Sequence, residues 1–358
     1  MHTPLLAAIT LHPTGGGIAT VSRLLWQVVN EGWRPGAQLL TMFDHESRPA
    51  TFIEKARFTT NLSSAQILGR TDFIIFTHLA LAKVHTAVPA RSRRRYGVFL
   101  NGIEVWKPLT ASEQDTLGRA DLRIAISHHT AARVMKAYPG VGPIAVCQLA
   151  LPIASAADRG DPPPEHLGPH AVLTVGRMSR TERYKGHDQL IDAWTAVVDA
   201  VPDAQLVFVG DGDDAPRLKQ KAAESGAGDR ILFTGFVSKA SLDALYRSAA
   251  LFALPSRAEG FGLVYLEAMS HRRACIGSIH DAAVEVIADG ETGQLVDQDD
   301  KGCLAATVSG LLLDEQRRRR MGEAGYRRLV SEFSFERFRD RVHTLLHADN
   351  PAAIRAGV

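Results

Sequence analysis

The sequence predicts an α/β protein of two domains, each built on a parallel sheet, and three observations lead to that prediction. A chain of 358 residues with 45% hydrophobic residues suggests about two domains and can fill two cores. Short apolar runs alternate with amphipathic stretches of helical period, which is typical of parallel strands joined by helices. The alternation stops once, over Ala154–His170, where Ala, Asp and Pro dominate, so we predict a linker between two Rossmann-like domains.

Six strands and two helices are predicted in the first half. The strand predictions are apolar runs of strand length, at Leu5–Leu11, Ala37–Phe43, Asp72–Thr77, Gly97–Leu100, Leu122–Ile126 and Ile144–Leu149. Apolar residues recur at helical spacing over Ile18–Glu31, and Thr130–Tyr138 is amphipathic, so both segments predict helices between strands. The first apolar run is short and no basic region precedes it, so it reads as a strand rather than a signal peptide.

The second half repeats the alternation. Strands are predicted at Ala171–Val175, Gln205–Val209, Ile231–Thr234, Leu251–Leu254 and Ala274–Gly277, and helices at His187–Val201, Ala215–Glu224, Lys239–Arg247 and Gly262–His271, with one long charged helical tail over Cys303–His347. The predicted domains are therefore 1–155 and 170–335, with a linker at 156–169 and a C-terminal helix at 336–358. Such a pair binds its ligand in the cleft, where the carboxyl ends of both sheets face each other.

Composition excludes several classes of protein. The three cysteines, Cys147, Cys275 and Cys303, show no CxxC spacing, which argues against a disulfide framework and against a zinc site. No apolar run approaches the roughly 18 residues of a membrane-spanning helix, so we expect a cytoplasmic protein. Two Asp-x-Asp pairs, Asp211–Asp213 and Asp297–Asp299, fit turns better than a metal site, and we expect neither a metal nor a cofactor.

Basic residues are concentrated in the first half of the chain. Residues 1–153 hold 16 Lys+Arg against 9 Asp+Glu, while the remainder holds 25 against 30. The densest cluster consists of Arg91, Arg93, Arg94 and Arg95, which predicts an anionic partner: lipid, nucleic acid or a phosphorylated substrate. Nucleic acid is the weakest of these because the cluster lacks interleaved aromatic residues beyond Tyr96. Several such arginines can hold a protein peripherally on an anionic membrane.

Two glycine-containing segments after predicted strands are candidates for phosphate binding. Gly15–Gly17 precede the first helix and let a ligand approach the backbone, although a plain turn explains them equally well. Gly176-Arg177 follows the first strand of the second half, and Tyr184-Lys185-Gly186 comes shortly after it. One Arg and one Lys near one strand end suit a diphosphate, with a solvated loop as the alternative.

A third segment is the most specific. It runs from Ser256 to Met269 and places two glutamates eight positions apart, Glu259 in a glycine-rich loop and Glu267 in the next helix. The loop carboxylate can face a sugar hydroxyl, the helix N-terminus can face a phosphate, and Glu267 can chelate a vicinal diol such as a ribose. The apolar neighbours predict that both carboxylates lie at the edge of a core.

With these motifs the chain resembles the retaining GT-B glycosyltransferases of the large family four, the group 1 glycosyltransferases. The resemblance covers residues 170–300 and rests on the spacing from Glu259 to Glu267 followed by Ala268-Met269. Around it stand Gly176-Arg177, Tyr184-Lys185-Gly186, Val209-Gly210-Asp211-Gly212, Phe233–Val237 and Asp289–Gly293. The first half is similar more loosely, through Gly15–Gly17 and Leu100–Trp106.

The resemblance implies transfer of a hexose from a nucleotide diphosphate sugar to an acceptor hydroxyl, with anomeric retention. Arg177 and Lys185 would bind the donor diphosphate, Glu259 the donor sugar, and Glu267 the ribose. The backbone at Phe236 and Val237 would meet the base. Gly16 and Gly17 would approach the phosphates or the acceptor. The rest of the implied donor site is the motif stretch Gly260, Phe261, Gly262 and Leu263. The C-terminal helix would return to the first domain.

The chain departs from the family pattern at three places. One is near Arg272-Arg273, where a Gly that is common after the helix of Glu267 is replaced. Asn101-Gly102 stands where the family has His-Gly, and Asn101 can hydrogen-bond to the donor sugar but cannot carry a proton. Asp281-Ala282 replaces a Gly pair that the family often has shortly before a glutamate, here Glu285. His78 ends a predicted strand, where it either lines the acceptor side of the cleft or packs in the core.

Similarity to mannosyltransferases that build bacterial cell-envelope polysaccharides makes GDP-mannose the first expected donor, with UDP-glucose and UDP-N-acetylglucosamine next. The basic first half then fits a glycan or polyprenyl-diphosphate-linked acceptor. Two alternatives belong to other classes. A sugar-nucleotide epimerase of the same fold would convert donor without an acceptor, and a non-catalytic nucleotide-sugar binder would bind donor without turnover.

Overall fold

The structure is a computed structural model, and it describes residues 3–33, 36–45, 49–151 and 167–347. The chain divides into two compact units. The N-terminal unit comprises the described residues up to Ala150 together with Phe335–His347, and the C-terminal unit comprises those of Leu151–Ser334. The predicted linker at 156–169 lies mostly outside the described residues, as do the last residues of the predicted C-terminal helix.

The N-terminal unit contains a parallel six-stranded sheet. Its strands are β1 (Pro4–Ala8), β2 (Gln38–Thr41), β3 (Phe73–Phe76), β4 (Arg95–Leu100), β5 (Leu122–Ala125) and β6 (Ala145–Val146), in the order β2-β1-β3-β4-β5-β6. The helices between them are α1 (Gly16–Gly32), α2 (Phe52–Ile67), α3 (Leu79–Ala82), α4 (Ile103–Trp106), α5 (Ala111–Arg119) and α6 (His128–Ala137). The strands are almost wholly buried apart from β2, as the continuous apolar runs predict for a parallel sheet.

The C-terminal unit contains a second parallel six-stranded sheet. Its strands are β7 (Ala171–Val175), β8 (Gln205–Val209), β9 (Ile231–Gly235), β10 (Leu251–Ala253), β11 (Ala274–Ser278) and β12 (Gly293–Val296), in the order β12-β11-β10-β7-β8-β9. The helices are α7 (His187–Ala200), α8 (Ala215–Glu224), α9 (Lys239–Ser248), α10 (Leu263–Ser270), α11 (Ala283–Val286), α12 (Lys301–Leu313) and α13 (Glu315–Glu332). Trp194 of α7 and Leu304 of α12 belong to one core with Leu206 of the sheet.

The C-terminal tail is not one helix, which corrects the sequence prediction. It forms α12, α13 and α14 (Phe335–His347). Asp314 ends α12 and caps α13, because its Oδ1 accepts the Arg317 N–H at 2.8 Å. A second break at Phe333–Ser334 separates α13 from α14, and α14 packs on α1 within the N-terminal unit, where Trp33 stacks on His347.

Sheet order determines where each unit can bind a ligand. In both sheets the chain reverses its direction of winding once: between β1 and β3 in the first, and between β7 and β10 in the second. The loops that follow two such strands diverge and leave a crevice at the carboxyl edge of the sheet. Among the described residues, no helix combines the length and apolar character needed to cross a membrane.

Candidate functional site

The crevice of the C-terminal unit brings together two of the predicted ligand-binding segments. β7 leads to Gly176-Arg177, and β10 leads to the segment Pro255–Gly262, which we call the Glu259 loop. Because β7 and β10 are neighbours in the sheet, these two loops start side by side. The short helical turn Arg180–Lys185 follows Arg177 and carries Lys185 towards the Glu259 loop.

Lys185 and Glu259 form an ion pair at the centre of this crevice. Their Nζ and Oε1 atoms lie 3.1 Å apart, and both side chains are 16% exposed. Glu182 adds a second carboxylate, 3.8 Å from Lys185 Nζ, and it also pairs with Arg177. Burial alone would lower the pKa of Lys185, but the carboxylates of Glu259 and Glu182 outweigh burial and raise it. The lysine is therefore fully charged at neutral pH.

A glycine allows this close approach of the two loops. Gly186 has φ +82°, and a Cβ at this position would lie 2.4 Å from the carbonyl oxygen of Pro255. A side chain here would push the Lys185 turn away from the Glu259 loop. The Arg257 N–H also donates to Tyr184 O at 2.9 Å, so backbone contacts as well as the ion pair join the two loops.

His187, the first residue of α7, lies directly beneath the crevice. It is 3% exposed, and its Nε2 finds no hydrogen-bond partner among the described residues. Burial, reinforced by the charge of Lys185, lowers the pKa of His187 to about 4. The imidazole is therefore neutral and packs edge-on against Phe208, so it contributes no positive charge to the site.

Glu267 lies on α10, one helix away from the Lys185–Glu259 pair. Its Oε2 accepts the Tyr246 hydroxyl at 3.0 Å, and Tyr246 stacks on His271. Burial raises the pKa of Glu267 to about 7, although the Tyr246 hydrogen bond acts in the opposite direction. The residue as a whole is partly exposed, and its contact with a diol stays a prediction.

The remaining predicted donor residues divide into exposed and buried ones. Phe236 follows β9 and is 77% exposed, which leaves an aromatic face open beside Val237. Gly262 begins α10 with φ +88°, and Gly260 and Leu263 are partly exposed. Phe261 is 2% exposed and packs edge-on against Phe333. The Phe261 side chain is thus an anchor in the core, and the role of this residue in donor binding stays a prediction.

Asp281 also belongs to the site, although the sequence shows it only as part of a replacement for a Gly pair of the family. Its side chain is fully buried, and Oδ2 accepts the Glu259 N–H at 3.0 Å. Burial raises the pKa of Asp281 to about 7, and the nearby charge of Glu259 adds to that effect. A polar residue after β11 was visible in the sequence, but its partner 22 positions earlier was not.

The N-terminal unit carries its own candidates at the carboxyl edge of its sheet. Gly16 has φ +66°, and a Cβ on Gly16 or Gly17 would meet no described atom within 4 Å, so the backbone there is open to a ligand. His78 caps α3 through Nδ1, and burial lowers its pKa. Asn101 donates to Thr77 O at 2.9 Å, and its Oδ1 has no partner among the described residues. Glycines, His78 and Asn101 thus follow β1, β3 and β4 in turn.

The four arginines that predict an anionic partner lie apart from these residues and differ in their exposure. The cluster precedes β4, at the edge of the sheet opposite to Asn101. Arg93 donates to Val88 O and Thr86 O, each at 2.7 Å, and Arg94 donates to Gln66 O at 3.2 Å. Arg95 pairs with Asp121 at 3.0 Å but stays 68% exposed, and Arg91 is exposed. The cluster thus offers an anion mainly Arg91 and Arg95.

No group of three or more His, Cys, Asp or Glu side chains among the described residues could hold a metal ion. The Asp-x-Asp pairs bind groups of the chain itself: Asp213 accepts the Arg180 N–H at 2.9 Å, and Asp299 pairs with Arg257.

Comparison with known proteins identifies the family of the second half. The sequence model of the family described as glycosyl transferases group 1 matches residues 163–328. A GDP-mannose-dependent alpha-(1-6)-phosphatidylinositol monomannoside mannosyltransferase of Mycolicibacterium smegmatis is 32% identical over 58% of this chain and 56% of its own length. The lipopolysaccharide core biosynthesis mannosyltransferase LpcC of Rhizobium leguminosarum bv. viciae is 35% identical over 46% of this chain and 47% of its own length. The matches therefore span about half the length of these relatives.

Solved structures confirm the fold. The Anabaena protein HepE in complex with UDP and glucose superimposes with a TM-score of 0.76, covering 97% of this chain and 100% of HepE at 18% identity. The predicted α/β fold of two Rossmann-like domains is confirmed by this match and by the two parallel sheets. The predicted return of the C-terminal helix to the first domain is also observed, since α14 belongs to the N-terminal unit.

Proposed function

We propose that this chain, which belongs through residues 163–328 to the group 1 glycosyl transferases, is a hexosyltransferase. It would transfer a hexose from a nucleoside diphosphate sugar to an acceptor hydroxyl. The observation that carries the proposal is the Lys185–Glu259 pair at the crevice between β7 and β10. It sets a charged ammonium beside a carboxylate, one suited to a diphosphate and the other to sugar hydroxyls.

The chemistry requires stabilisation of two developing charges, positive on the sugar and negative on the departing diphosphate. Arg177 and Lys185 supply cations for the diphosphate. Glu259 would hydrogen-bond to donor-sugar hydroxyls, while Phe236 would stack on the base and Glu267 would bind the ribose. Burial raises the pKa of Glu267 to about 7, so its carboxyl can both donate and accept hydrogen bonds at neutral pH.

We propose that the sugar is transferred with retention. Around the Lys185–Glu259 pair the carboxylates are already bound, so none of them serves well as a free nucleophile. Glu259 pairs with Lys185, Glu182 pairs with Arg177, and Asp281 accepts backbone N–H groups. The C1–O bond to the diphosphate would break as the acceptor oxygen approaches the same face of the sugar. The leaving phosphate oxygen would then take the acceptor proton, which needs neither a metal nor a proton-carrying residue at Asn101.

GDP-mannose is the first donor to test, because two similar enzymes are named mannosyltransferases and one is GDP-mannose-dependent. UDP-glucose and UDP-N-acetylglucosamine come next, since HepE is described in complex with UDP and glucose. We further propose a glycan or lipid-linked acceptor at the carboxyl edge of the N-terminal sheet. Contact of Arg91 and Arg95 with an anionic membrane, at the cytoplasmic face, remains part of this proposal.

The proposal is tested by measuring donor binding and sugar transfer together. The purified chain is titrated calorimetrically with GDP, UDP and their sugar conjugates, and anomeric configuration of the product is read by NMR. Lys185→Ala and Arg177→Ala should each weaken nucleotide binding and transfer at least about tenfold, the loss of one charge-assisted hydrogen bond. Lys221→Ala is the matched control, because Lys221 pairs with Asp188 outside the crevice. Binding of no nucleotide sugar, or wild-type transfer by both variants, would overturn the assignment.

A further inference from the structure

One buried carboxylate joins the Glu259 loop, on which the proposed donor-sugar site depends, to the loop that follows β11. Asp281 lies after β11, and its side chain has no solvent exposure. Oδ2 accepts the Glu259 N–H at 3.0 Å, and Oδ1 accepts the Ala283 N–H at 2.9 Å. The Ala282 N–H donates back to Glu259 O at 3.3 Å. Glu259 is thus held through both its backbone N–H and its backbone carbonyl.

The surroundings of Asp281 make burial of its carboxylate unfavourable in free energy. The groups that face it are the Glu259 carboxylate and the Ser256 hydroxyl, both of the Glu259 loop, and the Tyr265 hydroxyl of α10. Lys185 pairs with Glu259 instead. A carboxylate buried without a cation loses much of its hydration energy, and hydrogen bonds to backbone N–H groups recover only part of it. A residue that merely filled this space would be apolar or glycine.

We propose that Asp281 is a positioning residue for Glu259: it fixes the backbone of the Glu259 loop so that the Glu259 carboxylate stays beside Lys185 and faces the donor sugar. This rests on the proposed function, because it concerns the same site. Asp281 touches neither sugar nor phosphate and acts only through Glu259. The Glu259 side chain can then be oriented before the donor binds, and less of its freedom is lost on reaching the transition state.

The proposal predicts a pH signature. Burial raises the pKa of Asp281 to about 7, so its ionised form, which accepts two N–H groups, is lost as pH falls through neutrality. A protonated carboxyl keeps one good acceptor oxygen and loses strength at the other. Turnover should therefore fall on the acid side of neutrality, and the Glu259 amide hydrogen should lose protection there relative to its intrinsic exchange rate at the same pH.

Asp281→Asn is the variant of choice because it preserves volume while turning one acceptor into a donor that faces an N–H group. We expect kcat to fall about tenfold and the donor KM to change by no more than about twofold. The variant loses one buried hydrogen bond that orients Glu259 but does not contact the donor. Hydrogen exchange of Ser256–Gly262 in the ligand-free chain should accelerate by a similar factor. In this variant kcat should fall less below neutral pH than in the wild type, because Glu267 still titrates in the same site but Asp281 does not.

Asp289→Ala is the control, because Asp289 also accepts a backbone N–H, that of Leu295 at 2.8 Å, on a loop before β12. It should leave kcat and exchange of the Glu259 loop at the wild-type values. Asp281→Ala is a second variant, read by hydrogen exchange if it turns over nothing. Unchanged exchange of the Glu259 loop in both Asp281 variants would overturn the positioning role, as would a change in KM alone. Failure of the proposed function gives a different result: no turnover by the wild type, with the exchange difference intact.

Discussion

At the residue scale, the charge of the donor site depends on a carboxylate that the sequence motifs did not single out. Glu182 is 12% exposed, pairs with Arg177 and lies 3.8 Å from Lys185. Both cations proposed to bind the diphosphate are therefore partly neutralised in this structure. A diphosphate must compete with Glu182 for Arg177, and the carboxylate must turn away when the donor binds or accept repulsion from it.

The first prediction follows from that competition. Glu182→Gln removes the charge but preserves the size of the side chain, so affinity for the nucleoside diphosphate should rise about threefold to tenfold, the strength of a partly exposed ion pair. Calorimetric titration at low and high salt measures this. Glu323→Gln is the control, because it removes a carboxylate paired with Arg272 outside the site. Weaker nucleotide binding by Glu182→Gln would mean that Glu182 supports the site instead of competing with the ligand.

A second prediction concerns Glu267 and stability. Burial raises its pKa from an ordinary 4.5 to about 7, so between these values the folded chain holds a proton that the unfolded chain lacks. The contribution of Glu267 to stability is therefore largest below pH 4.5 and is lost as pH rises to about 7. Glu267→Gln has no carboxyl group to titrate, so it does not lose this stability as the pH rises. The difference in the midpoint of thermal unfolding between the variant and the wild type should therefore increase from pH 4.5 to about 7 and stay constant above that.

The difference in midpoint between the wild type and Glu267→Gln separates the effect of Glu267 from that of the other groups with shifted pKa values. Asp281 has the same direction of shift, whereas His85 and His187, whose pKa values burial lowers to about 4, favour stability at higher pH. All three act equally in both proteins and cancel. A difference in midpoint that does not change with pH would show that Glu267 has an ordinary pKa.

At the element scale, the sequence predicted best what depends on burial of a whole apolar strand. β7 and β8 have the predicted bounds, since their residues are buried on both faces of a parallel sheet. Five helices were missed: the four-residue α3, α4 and α11, and the longer α2 and α5. The longer two bury few apolar residues, and α5 buries only Thr116 and Leu117. β12 was also missed, because a four-residue strand beginning with glycine has almost no pattern.

The signal for the two longer missed helices was present at their first residues. Thr51–Glu54 and Thr110–Glu113 both form capping boxes, in which each threonine and glutamate bonds the backbone of the other.

The sequence predicted some residues of the site but not the contacts between them. Motifs indicated Arg177, Lys185 and Glu259, but the Lys185–Glu259 contact joins residues 74 positions apart, and only the adjacency of β7 and β10 determines it. Glu182 and Asp281 could not be assigned roles without that geometry.

A third prediction tests the capping box of α5. Thr110→Ala removes the hydroxyl that accepts the Glu113 N–H, and it should lower the free energy of unfolding by about 1 kcal/mol, the usual value of an N-cap. Ser112→Ala, at an exposed position in the first turn, should be neutral or slightly stabilising. Chemical denaturation of both variants gives the comparison. Equal effects would mean that the cap does not stabilise this short helix.

At the scale of the whole molecule, the N-terminal unit is built from two separate parts of the chain, one before and one after the C-terminal unit. Residues that follow the C-terminal unit in sequence complete the core of the N-terminal unit, because α14 packs on α1. Phe338 and Val342 are fully buried there, and Arg341 donates to Gln148 O at 3.3 Å. The N-terminal unit is thus complete only when both ends of the chain are present, whereas the proposed nucleotide site belongs to one continuous segment.

The last prediction uses this topology to separate the stability of the two units. Phe338→Ala leaves a cavity on α14, which follows the C-terminal unit in sequence, yet it should destabilise the N-terminal unit by about 3–5 kcal/mol. Hydrogen exchange should accelerate in β1, β3 and β4 and stay unchanged in β7, β8 and β10. Nucleotide affinity should also persist, because Arg177, Lys185 and Glu259 are all in the C-terminal unit.

Arg339→Ala, on the exposed side of α14, controls for effects on the helix itself. Loss of nucleotide binding in Phe338→Ala at a temperature where the second sheet remains protected would show that the N-terminal unit supplies binding energy to the donor. Acceleration of exchange in both sheets together would show that the two units unfold as one. Selective loss of protection in the first sheet, with the nucleotide still bound, identifies the C-terminal unit as an independent nucleotide-binding module, stabilised by its ligand through mass action.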